Sequence, residues 1–208
     1  KNAKDWSIRV LATASSNIFF RNDIYSNIGN RGGILMSNTG VKKRNVFARN
    51  RIWNVGLSAN ARGLWVLQGA TNNRFINNVF YKAGYGGSAF SVLLSSTSRS
   101  NIFVNNIICS NGAGPGVSNN ALNTFWTNND VYGNTPNYSA GVAFFSFANN
   151  LSNDAMFSNA PAGNFRLREG GPCGPSLLID AGVSNTWTPT DGTPVFGSQR
   201  DMGAYEAS

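Results

Sequence analysis

The stretch Asn45-Val-Phe-Ala-Arg-Asn-Arg-Ile-Trp53 decides the fold, because close copies of it recur along the chain. Four copies begin at a constant spacing of 28 residues, and a fifth follows after 23. They start at Asn17, Asn45, Asn73, Asn101 and Thr124. In every copy the third position is aromatic, the sixth is Asn and the eighth is apolar. Self-similarity at a fixed period of this length is typical of repeat architectures.

The copies are short and rich in aromatic and β-branched residues, so they predict strands, not helices. A second apolar run precedes three of them, at residues 8–11, 64–67 and 92–94, and Gly and Asn punctuate the joins. Several short strands per repeat, stacked turn on turn, predict an all-β solenoid of about five to six rungs with a period of 28.

The invariant Asn at position six predicts a structural ladder. Strands in adjacent rungs lie about 4.8 Å apart, so like residues stack on like. A buried side-chain amide can then donate to the carbonyl of the next one. The predicted ladder consists of Asn22, Asn50, Asn78, Asn106 and Asn129.

The composition excludes several classes of protein. Charged residues make up 12 % of the 208 and hydrophobic ones 41 %, which excludes a disordered charged tail. No apolar run approaches the roughly 18 residues of a membrane-spanning helix. The chain has no histidine, so mechanisms that need an imidazole are excluded. Cys109 and Cys173 fit no metal-binding spacing; one disulfide and two buried thiols remain alternatives.

The rung pattern resembles the right-handed parallel β-helix of pectate-lyase-like proteins. The stretch from Phe157 to Arg168, followed by Gly-Pro-Cys at 171–173, Ile-Asp-Ala-Gly at 179–182 and Asp-Met-Gly-Ala-Tyr-Glu at 201–206, is similar to the choice-of-anchor Q ending of secreted bacterial β-helix proteins. Residues 174–178 interrupt that pattern. The resemblance implies a helical body over residues 1–150, an irregular capping tail over 151–208 of the same domain, and a secreted or cell-surface bacterial protein.

Charge is distributed unevenly between these two parts. Residues 1–150 contain 14 Lys and Arg against three acids, a net charge of +11, whereas residues 151–208 contain three Arg against six acids, a net of −3. A basic body predicts an anionic partner, either an acidic polysaccharide or a nucleic acid, or it serves solubility alone. No nucleic-acid-binding module is recognisable, which favours the polysaccharide.

Two columns of the repeat supply candidate binding side chains. Since position eight is buried, alternation places the aromatic residues of position nine outside. The candidates are Arg21, Arg49, Arg51, Arg74, Lys82, Tyr25, Trp53 and Tyr81. Two interpretations remain open: these columns bind a polysaccharide, or the aromatic rings pack between rungs and the arginines form a solvated face.

The sequence assigns no catalytic residue. Glycoside hydrolysis usually needs two carboxyl groups about 5 to 9.5 Å apart. The repeat-aligned acids Asp23 and Asp130 are four rungs apart, roughly 19 Å, which argues against a two-carboxylate hydrolase. The resemblance implies that any activity is that of a polysaccharide lyase with an Arg or Lys base.

No metal site or cofactor is predicted. The resemblance allows Ca²⁺, but the chain has no loop with the regular spacing of acidic ligands that calcium needs. Asp180, Asp191, Asp201 and Glu206 are interpreted as turn caps that tie the tail over the last rung.

No helix precedes the first apolar run, so the N-terminal end of the solenoid is predicted to be open. Unpaired strand edges there favour either further rungs or a second copy of the chain as a cover. Two functions are therefore predicted: recognition of an extended anionic polysaccharide, with or without lyase activity, or a non-catalytic structural and surface-display role.

Overall fold

A computed structural model describes residues 5–26, 31–36, 40–56, 58, 60–84, 89–112, 114–139, 144, 146–169, 175–183 and 201–205. In chain order the strands are β1 (Trp6–Val10), β2 (Ile18–Phe20), β3 (Asp23–Tyr25), β4 (Gly32–Met36), β5 (Lys42–Lys43), β6 (Val46–Ala48), β7 (Arg51–Val55), β8 (Arg62–Val66), β9 (Ala70–Thr71), β10 (Arg74–Ile76), β11 (Val79–Ala83), β12 (Phe90–Leu94), β13 (Ile102–Val104), β14 (Ile107–Gly112), β15 (Val117–Asn119), β16 (Phe125–Thr127), β17 (Asp130–Asn134), β18 (Ser146–Ala148), β19 (Phe157–Asn159) and β20 (Asn164–Leu167). A 3-10 turn, Ala160–Ala162, separates the last two.

Three long parallel sheets run along the solenoid, and each turn of the chain contributes one strand to each of them. A short parallel sheet of two strands, β5 and β9, lies beside them. Sheet 1 contains β1, β4, β8, β12 and β15; sheet 2 contains β2, β6, β10, β13, β16 and β18; sheet 3 contains β3, β7, β11, β14 and β17. Five strand layers are joined by about four turns with a period near 28 residues. The predicted all-β solenoid is confirmed.

The aromatic residues of repeat position three stack inside the solenoid. The parallel register pairs Phe19 with Phe47, Phe47 with Phe75, Phe75 with Phe103 and Phe103 with Trp126. Successive ring centroids lie 4.4 to 5.0 Å apart. Aliphatic side chains of sheets 1 and 3 complete this interior cluster. One repeated position therefore builds a continuous core.

The predicted asparagine ladder is present at the bend between sheets 2 and 3. Position five has a left-handed backbone, with φ near 54° at Arg49 and 53° at Asn77, and this turns the chain into position six. Asn50 Nδ2 donates to Asn78 Oδ1 at 2.9 Å, and Asn78 Nδ2 donates in the same way to Asn106 at 2.9 Å. The second proton of Asn78 Nδ2 goes to the Phe47 carbonyl at 2.9 Å, so the buried amide is satisfied.

Two further amide ladders were not predicted. Position one of the repeat forms the first, in which Asn17, Asn45 and Asn73 each donate to the next Asn, ending at Asn101, over 2.9 to 3.0 Å. The second runs from Asn111 to Asn134 and on to Asn137 beside sheet 3. The 28-residue spacing of position one was a visible signal for the former.

After the fifth layer the chain makes part of a further turn. Tyr138 bridges to Val117 of sheet 1, β18 adds a sixth strand to sheet 2, and Leu151 bridges to Asp130 of sheet 3. Residues 133–156 break the 28-residue spacing, which predicts either an irregular last rung or a flap; their described part forms an incomplete turn.

The described part of the tail lies along the outer face of sheet 3. Its hairpin of β19 and β20 forms a second hydrophobic cluster with outward-facing residues of that sheet, including Val79, Ile107 and Cys109. Asn77 Nδ2 donates to the Asp201 carbonyl and Asn105 Nδ2 to the Val183 carbonyl, both at 2.9 Å. The tail is therefore held against the side of several turns, where the sequence suggested a position over the last rung.

One predicted turn cap in the tail is present. Asp201 is buried, and its Oδ1 accepts the backbone N–H of Asp180 at 2.8 Å. Asp191 and Glu206 lie outside the described residues, as does Cys173. Cys109 is a buried thiol on β14, and burial raises its pKa above the usual range.

Candidate functional site

Position nine points outward, as alternation predicts, but the tail covers part of the column. The Phe165 ring centroid lies 5.9 Å from that of Trp53 and 5.6 Å from that of Tyr81. Tyr25 remains 48 % exposed at the first turn and stacks on Trp53 at 5.0 Å. Two of the three candidate aromatic residues are thus packed against the tail.

Arg51 lies beside these rings, and its charge is engaged. Its Nη2 lies 2.9 Å from Asp23 Oδ2, and its Nη1 donates to the Tyr205 hydroxyl of the tail. Trp53 Nε1 donates to Asp23 Oδ1 at 2.8 Å. The structure therefore brings Tyr25, Trp53 and Arg51 together around Asp23, where they tie adjacent turns and the tail to one another.

The other basic candidates are separated. Arg49 is 5 % exposed, whereas Arg21 is exposed and lies 5.2 Å from the Phe20 ring. Arg74 is half-buried on the outer face of sheet 2, and burial lowers the pKa of its guanidinium. Lys82 Nζ lies 5.5 Å from the Tyr81 ring. The binding role predicted for the eight residues stays a prediction, but they do not form one continuous basic face.

A different surface combines aromatic rings with arginines: the outer face of sheet 1. The alternate residues Val10, Met36, Val66 and Leu94 face the interior cluster. The residues between them face outward, and the register aligns Arg9, Leu35, Trp65 and Leu93 on successive turns. A second column, at the start of these strands, aligns Trp6, Gly32, Arg62 and Phe90; Trp6 is buried there, and Arg62 and Phe90 are half-buried.

These two columns make direct ring and cation contacts. The Arg62 guanidinium lies 4.9 Å from the Phe90 ring centroid and 5.8 Å from that of Trp65. The rings of Trp6 and Trp65 lie 6.1 Å apart, although two turns separate their strands. Gly32 occupies the intervening turn, and a Cβ there would lie 1.8 Å from the Arg62 carbonyl oxygen. The glycine therefore permits the close stacking of turns beneath these rings.

The charge of this face is positive. Asp5 Oδ2 lies 3.3 Å from Arg9 Nη1, and Asp5 Oδ1 lies 3.9 Å from Arg31 Nε. Both pairs are exposed, so they contribute little to stability and exchange readily. Arg62 adds a third cation, and its Nη1 donates to the Ala61 carbonyl at 2.7 Å.

Sequence reasoning missed this face because the strands of sheet 1 lie outside the nine-residue copies. Their sequences, WSIRV, GGILM, RGLWV and FSVLL, share only the inward apolar alternation. Alternation was the available signal, since it assigns Arg9 and Trp65 to the outside once Val10 and Val66 are assigned to the core.

Within the described ranges, no group of three or more acidic, cysteine or histidine side chains comes together in a way that could hold a metal ion. No helix among those residues is both long enough and apolar enough to cross a membrane.

No family model, no curated protein and no solved structure matches the chain. The solenoid fold therefore rests on the stacked strands and ladders themselves. Kinship with pectate-lyase-like proteins, the choice-of-anchor ending and a right-handed sense stay predictions.

Proposed function

We propose that this chain binds an extended, acidic polysaccharide along the outer face of sheet 1. One observation carries the proposal: the Arg62 guanidinium lies 5.8 Å from the ring of the outward-facing Trp65 and 4.9 Å from the Phe90 ring. Aromatic rings offer flat apolar surface to a sugar ring, and arginine binds carboxylates in a planar, two-pronged geometry.

The dimensions of the face suit a polymer better than a small molecule. Five parallel strands at a spacing of about 4.8 Å extend roughly 19 Å from the first to the last, which is several sugar units long. Arg9 belongs to the first turn, Trp65 to the third and Phe90 to the fourth. Contacts distributed in this way favour a chain that runs along the solenoid axis.

Electrostatics support an anionic ligand. The net charge of +11 in residues 1–150 raises the rate at which a polyanion meets the solenoid. Because the Arg9–Asp5 pair is exposed, a ligand carboxylate can replace Asp5 at little cost. Binding should therefore weaken as the salt concentration rises.

The test is affinity electrophoresis and titration calorimetry on polygalacturonate, alginate and chondroitin sulfate, with uncharged galactan as the neutral polymer. We expect Trp65→Ala and Arg9→Gln each to weaken binding to one of the acidic polymers by about tenfold. Arg44→Gln is the matched control, because Arg44 is exposed on a different side of the solenoid. It should leave the affinity unchanged.

The same experiment decides between this face and the columns predicted from the repeat. Arg21→Gln and Tyr25→Ala remove the two most exposed candidates of those columns. Loss of binding in these variants, with full affinity in Trp65→Ala, would overturn the proposal. Growth of ultraviolet absorbance from unsaturated uronate ends during the titration would add lyase activity to binding.

A structural, non-binding solenoid is the second candidate, and a specific observation favours it. Arg51, Trp53 and Tyr81, which the repeat offers as binding residues, all take part in contacts with the tail. Absence of binding to every polymer, acidic and neutral, would favour this alternative.

A further inference from the structure

The position-nine column contains one small residue, and a cleft lies there. The parallel register places Tyr81, Cys109 and Tyr132 on three successive strands of sheet 3. The two tyrosines are therefore two turns apart, roughly 10 Å between their backbones. Cys109 does not fill the gap between them as a third aromatic ring would. Cys109 occupies the position that is aromatic on the other turns, and its smaller side chain leaves a slot between Tyr81 and Tyr132.

The tail closes the slot into a cleft of about 450 Å³. Phe157 and the turn that follows β19 form one wall, and Ser110, Asp154 and Arg168 bring polar groups to it. This volume is within the range of small-molecule sites. The cleft lies on sheet 3, so it is separate from the outer face of sheet 1.

The tail backbone fixes the position of Arg168. The N–H of Arg168 donates to the Met156 carbonyl at 3.1 Å, and its carbonyl accepts the N–H of Ser176 at 2.8 Å. No side-chain hydrogen bond or ion pair engages its guanidinium among the residues that the structure describes, although the side chain is half-buried. A half-buried cation without a partner favours an anionic group from a ligand.

The remaining groups of the cleft suit a sugar. Asp154 uses Oδ1 to accept the N–H of Met156 at 2.9 Å, and its carboxylate is otherwise available as a hydroxyl acceptor. Ser110 adds a hydroxyl, and the rings of Tyr81 and Tyr132 provide apolar surface. A neutral sugar would leave Arg168 unpaired, and an inorganic anion would leave the rings and Asp154 unused.

We infer that this cleft is a second site, which binds a single uronic acid residue, with the carboxylate on Arg168, hydroxyls on Asp154 and Ser110, and the sugar ring against Tyr132. The inference rests on the proposed function for the class of ligand, an acidic sugar. It differs in the location of the site and in the size of what is bound. A chain end or a released monosaccharide fits the cleft, whereas the interior of a polymer fits the open face of sheet 1.

The test uses two ligands that differ in one group. Methyl galacturonoside carries a carboxylate where methyl galactoside carries a hydroxymethyl group. We expect the first, and not the second, to shift the ring signals of Tyr81 and Tyr132 in a nuclear magnetic resonance titration of the full chain. Arg168→Met and Tyr132→Ala should each weaken this binding by about tenfold or more.

Arg166→Met is the matched control, because Arg166 is two residues away and exposed and does not line the cleft. Trp65→Ala separates the two proposals: it should weaken polymer binding at sheet 1 and leave uronoside binding intact, and Arg168→Met should do the reverse. Equal binding of both glycosides, no binding of either, or unchanged affinity in a folded Arg168→Met variant would overturn the inference. This holds regardless of the result for polymer binding at sheet 1.

Discussion

The described residues form two hydrophobic clusters that differ in how they are made. The interior cluster is repetitive: one aromatic residue per turn, stacked at 4.4 to 5.0 Å, and bounded by amide ladders. The outer cluster on sheet 3 is formed once, from Trp53, Tyr81 and the tail residues Phe157 and Phe165. The first stabilises every turn in the same way, whereas the second joins a non-repeating segment to several turns. The second cluster borders the cleft that contains Arg168.

The interior ladder should give the largest loss of stability. Asn78→Ala leaves the backbone N–H and Nδ2 of Asn50 without their acceptor and the Phe47 carbonyl without its donor. Each buried group left unsatisfied costs about 1–3 kcal/mol, so we expect the three together to cost at least about 3 kcal/mol in urea denaturation. Asn120→Ala, at an exposed position, is the control and should change stability by under about 0.5 kcal/mol. Equal effects of the two substitutions would contradict a structural role for the ladder.

Removing the central ring of the outer cluster should have a smaller and more local effect. Phe165 is 1 % exposed and packs against Trp53, Tyr81 and Phe157. Truncation of a buried Phe lowers the free energy of unfolding by about 3 kcal/mol or more when it destabilises the whole domain. We expect Phe165→Ala to release the tail first, so that hydrogen exchange accelerates in β20 while β10 and β13 remain protected. Uniform acceleration in all sheets would show instead that the two clusters unfold as one unit.

The repeat made the interior cluster predictable and left the outer one unpredictable. Position three and position six recur at a fixed spacing, and stacking converts that spacing into a ring column and the ladder that includes Asn78. The tail has no period, so nothing in its sequence shows that Phe165 lies on Trp53. Asp154 and Arg168 are 14 residues apart in the tail, and only the fold brings them to one cleft with Tyr132.

Asp130 lies in register with Ile107 of the outer cluster, and it makes stability depend on pH. It is fully buried on β17, its Oδ1 accepts the N–H of Asn153 at 2.8 Å, and burial raises its pKa from 3.8 to about 7. The folded state holds this proton more firmly than the unfolded state. The stabilisation is therefore complete below about pH 3.8 and is lost as the pH rises through about 7, by at most about 1.4 kcal/mol per pH unit.

Asp130→Asn keeps the acceptor for Asn153 and removes the ionisable group. We expect the decline in the free energy of unfolding between about pH 4 and 7 to be shallower in this variant than in the wild type. Asp5→Asn, at an exposed acid in the first turn, controls for general charge effects. Parallel pH profiles for wild type and Asp130→Asn would contradict a buried neutral carboxyl.

The smallest expected effect concerns the close contact between the tail and the solenoid at Gly163. Gly163 follows the 3-10 turn with φ of 79°, and a Cβ there would lie 2.9 Å from Trp53 Cζ2. Gly133 has a similar φ of 64°, but the nearest atom to its Cβ would be 3.8 Å away. Both Ala substitutions carry the same backbone penalty of about 1 kcal/mol, so the difference between their effects on stability isolates the contact with Trp53.

We expect Gly163→Ala to be the more destabilising of the two by up to about 1 kcal/mol in thermal denaturation. The indole of Trp53 is held by Asp23 and Tyr25, so it can move away from the new Cβ only if those contacts are weakened. Identical losses would mean that the hairpin shifts away from the ring without cost, and the outer cluster would then be a loose cover on a solenoid that is stable by its interior alone.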